Sequence, residues 1–370
     1  MKILGIETSC DETAAAVVED GHRLLSNAVL SSMDLHAAYG GVVPEIAARS
    51  HIEAITPVVS EALLTAECAW DDIDGIAVTY GAGLGGSLLI GVLTARTLAI
   101  VKDKPLYAIN HVEGHVYANF LTEVGTITNS QLPIHNGGQG ATLKNYKLPK
   151  KQPAFPMLAL IVSGGHSQLV LFRDHFDYTL LGQTQDDAIG EAFDKVAKVL
   201  GLPYPGGPSV GKKALEGNTR KYKLPKAKMP GKYDFSFSGL KTAVLRLAQA
   251  EIGEDHSFPS IKLAERLSEP QKADIAASFQ RVAIETVVDK TMMAYEEFQP
   301  QTVVIAGGVA ASPELRRQLS ERLPCPISYT DPRLCTDNGA MIATLGCFKM
   351  LHGQPTADPY SLDIAPNLSM

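Results

Sequence analysis

The sequence predicts an α/β protein made of two similar domains, and three observations carry that prediction. A short apolar run, a small polar turn and a second apolar run open the chain, and the same design returns about 155 residues later. Elsewhere, apolar runs of strand length end in glycine-rich turns that lead into helical patterns. The chain has 370 residues, 45% of them hydrophobic, which is enough apolar material for two cores. Net charge is −7, so no global basic field announces a polyanionic partner. The five cysteines (Cys10, Cys68, Cys325, Cys335 and Cys347) form no Cys-x-x-Cys pair, which suits a reducing compartment. No targeting segment is expected before the first strand, and the apolar run Ser87–Val101 carries Arg96 and is read as too short to span a bilayer. A cytoplasmic protein with no membrane segment is expected.

In chain order, Ile3–Ile6 reads as a buried strand, Glu7–Thr13 as a polar hairpin turn and Ala14–Val18 as the returning strand. Actin-like, sugar-kinase and Hsp70-type ATPases begin this way, with turn amides and hydroxyls facing phosphate. Asp11 and Glu12 are the carboxylates best placed to reach a bound cation; an ordinary acidic turn is the other reading of them. A long helix follows through Ile52, Ile55, Val59 and Leu63, with Pro44 in its first turn and Arg49 and His51 on a solvated face. Strand Asp74–Thr79 meets Gly81-Ala82-Gly83-Leu84-Gly85-Gly86, which opens a helix to about Val101 but lacks dinucleotide-fingerprint spacing.

Asn110-His111-Val112-Glu113-Gly114-His115 is the most chemically suggestive stretch. Histidines four apart on a helix share a face and can grip one metal ion. Asn110 is a natural N-cap with Glu113 in the capping-box position, and a first-turn His111 is expected to stay neutral against the helix dipole. Glu113 lies two residues on, roughly 200° round the helix, so this is not the metalloprotease arrangement. Two packed histidines are the plainer alternative, and two ligands need a third.

Gly125–Pro153 shifts to Asn, Gln, Gly, Thr, Pro and Lys and reads as a surface insertion, with Lys144, Lys147, Lys150 and Lys151 in its basic half. Leu158–Val162, Ser163–Ser167 and Gln168–Phe172 form the second hairpin, whose Gly164 and Gly165 let backbone N–H groups face an anion. An amphipathic helix over Asp186–Leu200 ends in rigid Pro/Gly turns. Gly211–Lys232 then holds eight Lys/Arg against Glu216, a stretch that fits either a phosphate backbone or a solvated loop. A long helix over Ile275–Glu297 precedes strand Thr302–Ala306. The Gly307-Gly308 turn after that strand suits a nucleotide lying against bare backbone, and it leads into helix Pro313–Leu323. Asp337 before the last apolar helix is an N-cap candidate and also the best third metal ligand. The tail after Gly353 is expected to wrap a surface.

Together, Gly5–Thr13, Tyr39–Glu45, His111–His115, Val162–His166, Gly190–Lys195, Tyr204–Pro208, Phe235–Lys241, Ala306–Val309 and Cys335–Ala343 resemble the threonylcarbamoyltransferase family that modifies tRNA, in its bacterial form. The resemblance implies two actin-like ATPase (ribonuclease H-like) domains facing each other across a nucleotide and metal cleft. It implies transfer of threonylcarbamoyl from threonylcarbamoyl-AMP to N6 of adenosine 37 in tRNAs reading codons that begin with A. The family's metal ligands fall on His111, His115 and Asp337, with Fe(II) the first expectation and Zn or Mn the alternatives. Its nucleotide loops fall on Ile161, Val162, Ser163, Gly164, Gly165, Asp194, Gly207, Gly307 and Gly308, and its acidic turn on Asp11 and Glu12. Ser312 stands where the family commonly has Asn, Ala82 where it has Pro, and the 125–153 insertion is long. Implied partners are tRNA, a degenerate subunit of the same fold, a P-loop ATPase and the synthase that makes the adenylate. Domains are expected over 1–110 and 111–339, with about 340–370 packing back on the first. A sugar-kinase-like phosphotransferase would share the hairpins without needing the histidine pair; a metallopeptidase would need a Glu beside a metal-bound His.

Overall fold

Each of the two hairpins seeds a mixed β-sheet in the computed structural model, which describes residues 1–125 and 146–370. Most of the expected insertion, Lys144 included, lies outside the described residues. In the first unit, strands β1 (Lys2–Glu7), β2 (Glu12–Glu19) and β3 (Arg23–Ser31) form an antiparallel meander. Strands β4 (Gly75–Gly81) and β5 (Leu106–Asn110) add in parallel on the β1 side, and β6 (Glu123–Val124) adds beside β3. The order is β5-β4-β1-β2-β3-β6. Val, Ile, Leu and Ala fill β1, β2 and β4 almost continuously because helices cover both faces of the sheet.

The second unit repeats the plan. Its meander is β7 (Met157–Val162), β8 (Ser167–Asp174) and β9 (Asp177–Gln183), joined in parallel by β10 (Thr302–Ala306) and β11 (Ile327–Ser328). Its order, β11-β10-β7-β8-β9, matches β5-β4-β1-β2-β3 strand for strand. This is the internal repeat that the two hairpins predicted, and it is an actin-like architecture.

The units divide at Pro153/Ala154 and again at Ser328/Tyr329, so the first comprises Met1–Pro153 and Tyr329–Met370. That differs from a boundary at 110/111. The helix His111–Tyr117 continues directly from β5, and the last helix, Gly339–Leu351, packs on β1, β2 and that helix. The helix that carries His111 and His115 and the helix that follows Asp337 therefore both belong to the first unit. Pro44 does open the helix Pro44–Thr65, but His51 on it is fully buried, because the face it occupies meets the hairpin turn and not solvent. Gly85–Lys102 has 18 residues and a mean hydropathy of 1.4, long and apolar enough to cross a membrane, contrary to the shorter sequence reading. Here its Leu88, Val92, Ala95 and Ala99 are buried, and it packs along β4 and the helix Pro44–Thr65.

The tail after Gly353 does lie along the first unit. Ala357 bridges Leu106, Arg96 donates to the carbonyls of Pro359, Tyr360 and Leu362, and the Asn110 amide donates to the Ser369 carbonyl. The end of the expected insertion also packs there: Tyr146 accepts from Asn27, and the Arg333 guanidinium sits 4.0 Å from its ring centre.

Candidate metal centre and nucleotide turns

Asn110 caps the helix His111–Tyr117 as its sequence predicts, accepting from the N–H of Val112 at 2.9 Å and of Glu113 at 3.4 Å. That cap fixes where the first turn begins and so aims His111 and His115 to one side, their ring centres 4.7 Å apart. Asp337 Oδ1 lies 3.5 Å from His111 Nε2 and 3.2 Å from His115 Nε2. One donor atom from each of the three falls within 4.8 Å of the others. The N-cap of helix Gly339–Leu351 is Asn338, whose side chain accepts from Met341 N, rather than Asp337. His115 is buried and neither of its ring nitrogens makes a hydrogen bond, despite the proximity of Asp337. Two imidazoles and a carboxylate converging there, one imidazole orphaned from water, fit a divalent cation.

Sequence reasoning passed over Glu7. Its carboxylate is fully buried and accepts from Ser9 N and Thr79 Oγ1, and its Oε2 lies 3.2 Å from His111 Nδ1. Ser9 Oγ is 3.1 Å from the same nitrogen. A carboxylate behind a ligating histidine fixes the ring's orientation and raises its basicity. The signal for it was a charge at the end of an otherwise apolar strand. Burial disfavours a charged His111, but Asp337 and Glu7 outweigh it and hold the ring at about 9. The neutral ring expected from the helix dipole is therefore not what the metal-free site favours. Two facing carboxylates are stronger than one helix terminus, and a cation would enter by displacing that proton.

The acidic turn sits beside the cluster. Burial pushes the Glu12 carboxyl well above the usual carboxylate range, and the negative charges of Asp337 and Asp11 push it further. His51 holds this turn from behind, Nε2 at 3.0 Å from the Cys10 carbonyl and Nδ1 at 2.7 Å from Thr13 Oγ1. Ser32 adds a second grip, donating to the Asp11 carbonyl. Neither contact was legible from spacing. Glu113, on the same helix as the histidines, is also buried, and burial lifts it to about 7.

In the second unit, Ile161 and Val162 end β7 with buried side chains, which leaves only their backbone to offer a ligand. Ser163, Gly164 and Gly165 form the β7–β8 turn, and both glycines face open space. Gly307, at φ +86°, lies so close that an added Cβ would sit 2.5 Å from the Val162 carbonyl. The β10–Gly308 turn and the β7–β8 turn are thereby neighbours. Gly190 N donates to the Ser163 carbonyl at 3.2 Å, tying in the helix Ile189–Leu200. Asp194 on that helix accepts from Gly206 N at 2.7 Å, while Gly207 beside it is open. Ser312 caps helix Pro313–Arg322, accepting from Leu315 N at 3.4 Å. A short hydroxyl here is occupied by the backbone.

A family model described as TsaD, tRNA N6-adenosine threonylcarbamoyltransferase, matches residues 23–141 and 136–344. A tRNA N6-adenosine threonylcarbamoyltransferase of Thermomicrobium roseum is 49% identical over 350 residues, covering 93% of this chain and 90% of the relative. One from Dehalococcoides mccartyi is 45% identical over 370 residues, covering 100% and 99%. Full-length HypF, in its phosphate- and nucleotide-bound form, shares the fold over 95% of this chain and 47% of its own, with a TM-score of 0.53 and 13% identity. On the family model and these relatives together, the chain belongs to the tRNA N6-adenosine threonylcarbamoyltransferase family.

Proposed function

We propose that this chain transfers the threonylcarbamoyl group of threonylcarbamoyl-AMP to N6 of adenosine 37 in tRNAs reading codons that begin with A, with a divalent cation held by His111, His115 and Asp337. The observation that carries the metal assignment is the buried, converging donor set with an orphaned His115, in a chain of this family. Fe(II) suits two imidazoles and a carboxylate, as do Zn and Mn. Such a cation supplies Lewis acidity and a template for donor oxygens.

The adenine amine attacks the carbamoyl carbon, the bond from that carbon to the phosphate oxygen breaks, and AMP leaves with the electron pair. Adenine N6 is a poor nucleophile because its lone pair is delocalised, so orientation supplies much of the acceleration. Asp11 or Glu12 takes the amine proton through water. Glu7 and Ser9 hold the His111 ring in position. In the second unit, the Ser163–Gly165 turn, Gly307 and Gly308 present backbone to the nucleotide, with Ile161, Val162, Asp194, Gly207 and Ser312 shaping that cradle.

A mixed anhydride this reactive must be delivered by a synthase, and a P-loop ATPase is the other expected partner. A degenerate subunit of the same fold fits the apolar face of the helix Gly85–Lys102. There Leu89, Leu93 and Ile100 are exposed at helical spacing, and Ile52 is exposed on the helix Pro44–Thr65 that packs against it. A tRNA substrate supports a cytoplasmic location for the reaction. His111→Ala is expected to lose metal and transfer together, read by elemental analysis of the protein and nucleoside mass analysis of the tRNA. Full transfer by a metal-free variant would refute the assignment.

A further inference from the structure

The basic stretch Gly211–Lys232 is not a loose loop. It runs along the 30-residue helix Glu269–Phe298 and is pinned at successive turns. Gly217 lies flush against the Ala273 carbonyl, Asn218 N donates to Asp274, and Tyr222 N donates to Ser278 Oγ. Lys226 then pairs with Glu285 and Asp289, and Lys232 with Glu297. Nearer the start, Lys213 pairs with Glu216 and with Glu269.

These anchors sort the eight cations into two sets. Lys213, Lys226 and Lys232 are neutralised by carboxylates, all but Glu216 from the helix beneath. Lys212, Arg220, Lys221, Lys223 and Lys228 are exposed and, among the described residues, form no ion pair. Since Lys213 sits at Glu269 and Lys226 at Asp289, the unpaired set follows about twenty helical residues, roughly 30 Å of surface. A cavity of about 300 Å³ is lined by Arg220, Arg281, Arg317 and Arg322; the last three and Lys226 are matched by Glu285, Asp289, Glu314 and Glu321, which leaves Arg220, among the described residues, as the unpaired cation there. The outward row, Arg220 included, is the uncompensated charge. A row this long does not converge on one small anion. It matches a chain of phosphates.

We propose that Lys212, Arg220, Lys221, Lys223 and Lys228 form a rail on the second unit that holds the sugar-phosphate backbone of the tRNA substrate. This rests on the family reading above. It explains how a chain of net charge −7 can present a local polyanion site: the helix acids cancel the inward cations and leave the outward ones unopposed.

The test compares wild type with the triple variant Arg220→Gln, Lys221→Gln, Lys223→Gln, in the assembly that supports transfer, by measuring tRNA affinity across a salt series. The expected result is binding weakened tenfold or more near 0.1 M salt, with the log-log salt slope shallower by about 2 to 3. A paired-cation control, Lys213→Gln with Lys226→Gln, is expected to lower Tm and leave that slope unchanged. An equal slope loss in the control, or none in the triple variant, overturns the rail. Acylation of wild-type lysines with and without tRNA gives a readout free of folding effects. Protection of Lys221, Lys223 and Lys228 supports the rail, and their full modification in the complex refutes it, including in favour of an acidic protein as occupant. Wild type that neither binds nor modifies tRNA would instead refute the family reading, a distinguishable failure.

Discussion

Glu7 shows how much of a candidate metal site can hide behind the residues proposed to ligate. The histidines announce themselves by spacing, but the carboxylate that orients His111 comes from a strand 104 residues away, through a contact only the fold creates. Replacing it with Gln keeps the shape and removes the charge. Glu7→Gln is expected to weaken cation affinity by about 10- to 100-fold, measured by competition with a chelator. Asp337 was legible as a candidate ligand and as a candidate N-cap, and the fold gives the cap to Asn338, which accepts from Met341 N. Gly307 is a third residue whose meaning lies in contact. Its positive φ and the nearby Val162 carbonyl leave no room for a Cβ, so Gly307→Ala is expected to cost about 1–3 kcal/mol, read by chemical denaturation.

Strands β1, β2, β7, β8 and β10 and the long helices were readable because hydrophobic period decides them. What period cannot show is which face of a helix meets a turn. His51 illustrates this: between Arg49 and Glu53 it looks solvated, yet it is buried against Cys10 and Thr13. Burial lowers its pKa beneath the ordinary 6.5, although the Cys10 carbonyl opposes the shift. The unfolded chain therefore binds a proton there more readily than the native one. Stability is retained above about 6.5 and declines as pH falls below it. Tm measured against pH is expected to fall more steeply on the acid side in wild type than in His51→Gln. The C-terminal tail wraps the first unit as its composition suggested, but its anchors were not legible in the sequence. Arg96 binds three of its carbonyls, and Asn110 reaches Ser369 from the N-cap of the histidine helix. Arg96→Ala is expected to lower stability by about 1–3 kcal/mol and to loosen the tail, seen as faster proteolysis beyond Gly353.

At the scale of the molecule, two hairpins in the sequence foretold two sheets of matching strand order, but not where one unit hands over to the other. The return of the last helix to β1 and β2 was expected, but the helix His111–Tyr117 also stays with the first unit because it packs against that last helix, a long-range contact that local pattern does not encode. The exposed apolar row on Gly85–Lys102 is the face proposed above for a same-fold partner. Leu93→Glu is expected to abolish association with a same-fold partner while leaving metal content unchanged, checked by sedimentation and elemental analysis. The duplicated hairpin carries a last consequence. Equivalent bends, one at Ser9–Asp11 and one at Ser163–His166, occupy the same place in twin sheets, yet one is flanked by carboxylates and the other offers bare glycine amides. On the reading proposed above, the first bend faces a cation and the second a phosphate, so grafting Asp11-Glu12 into the second bend is expected to weaken nucleotide binding by like-charge repulsion, measured by calorimetry.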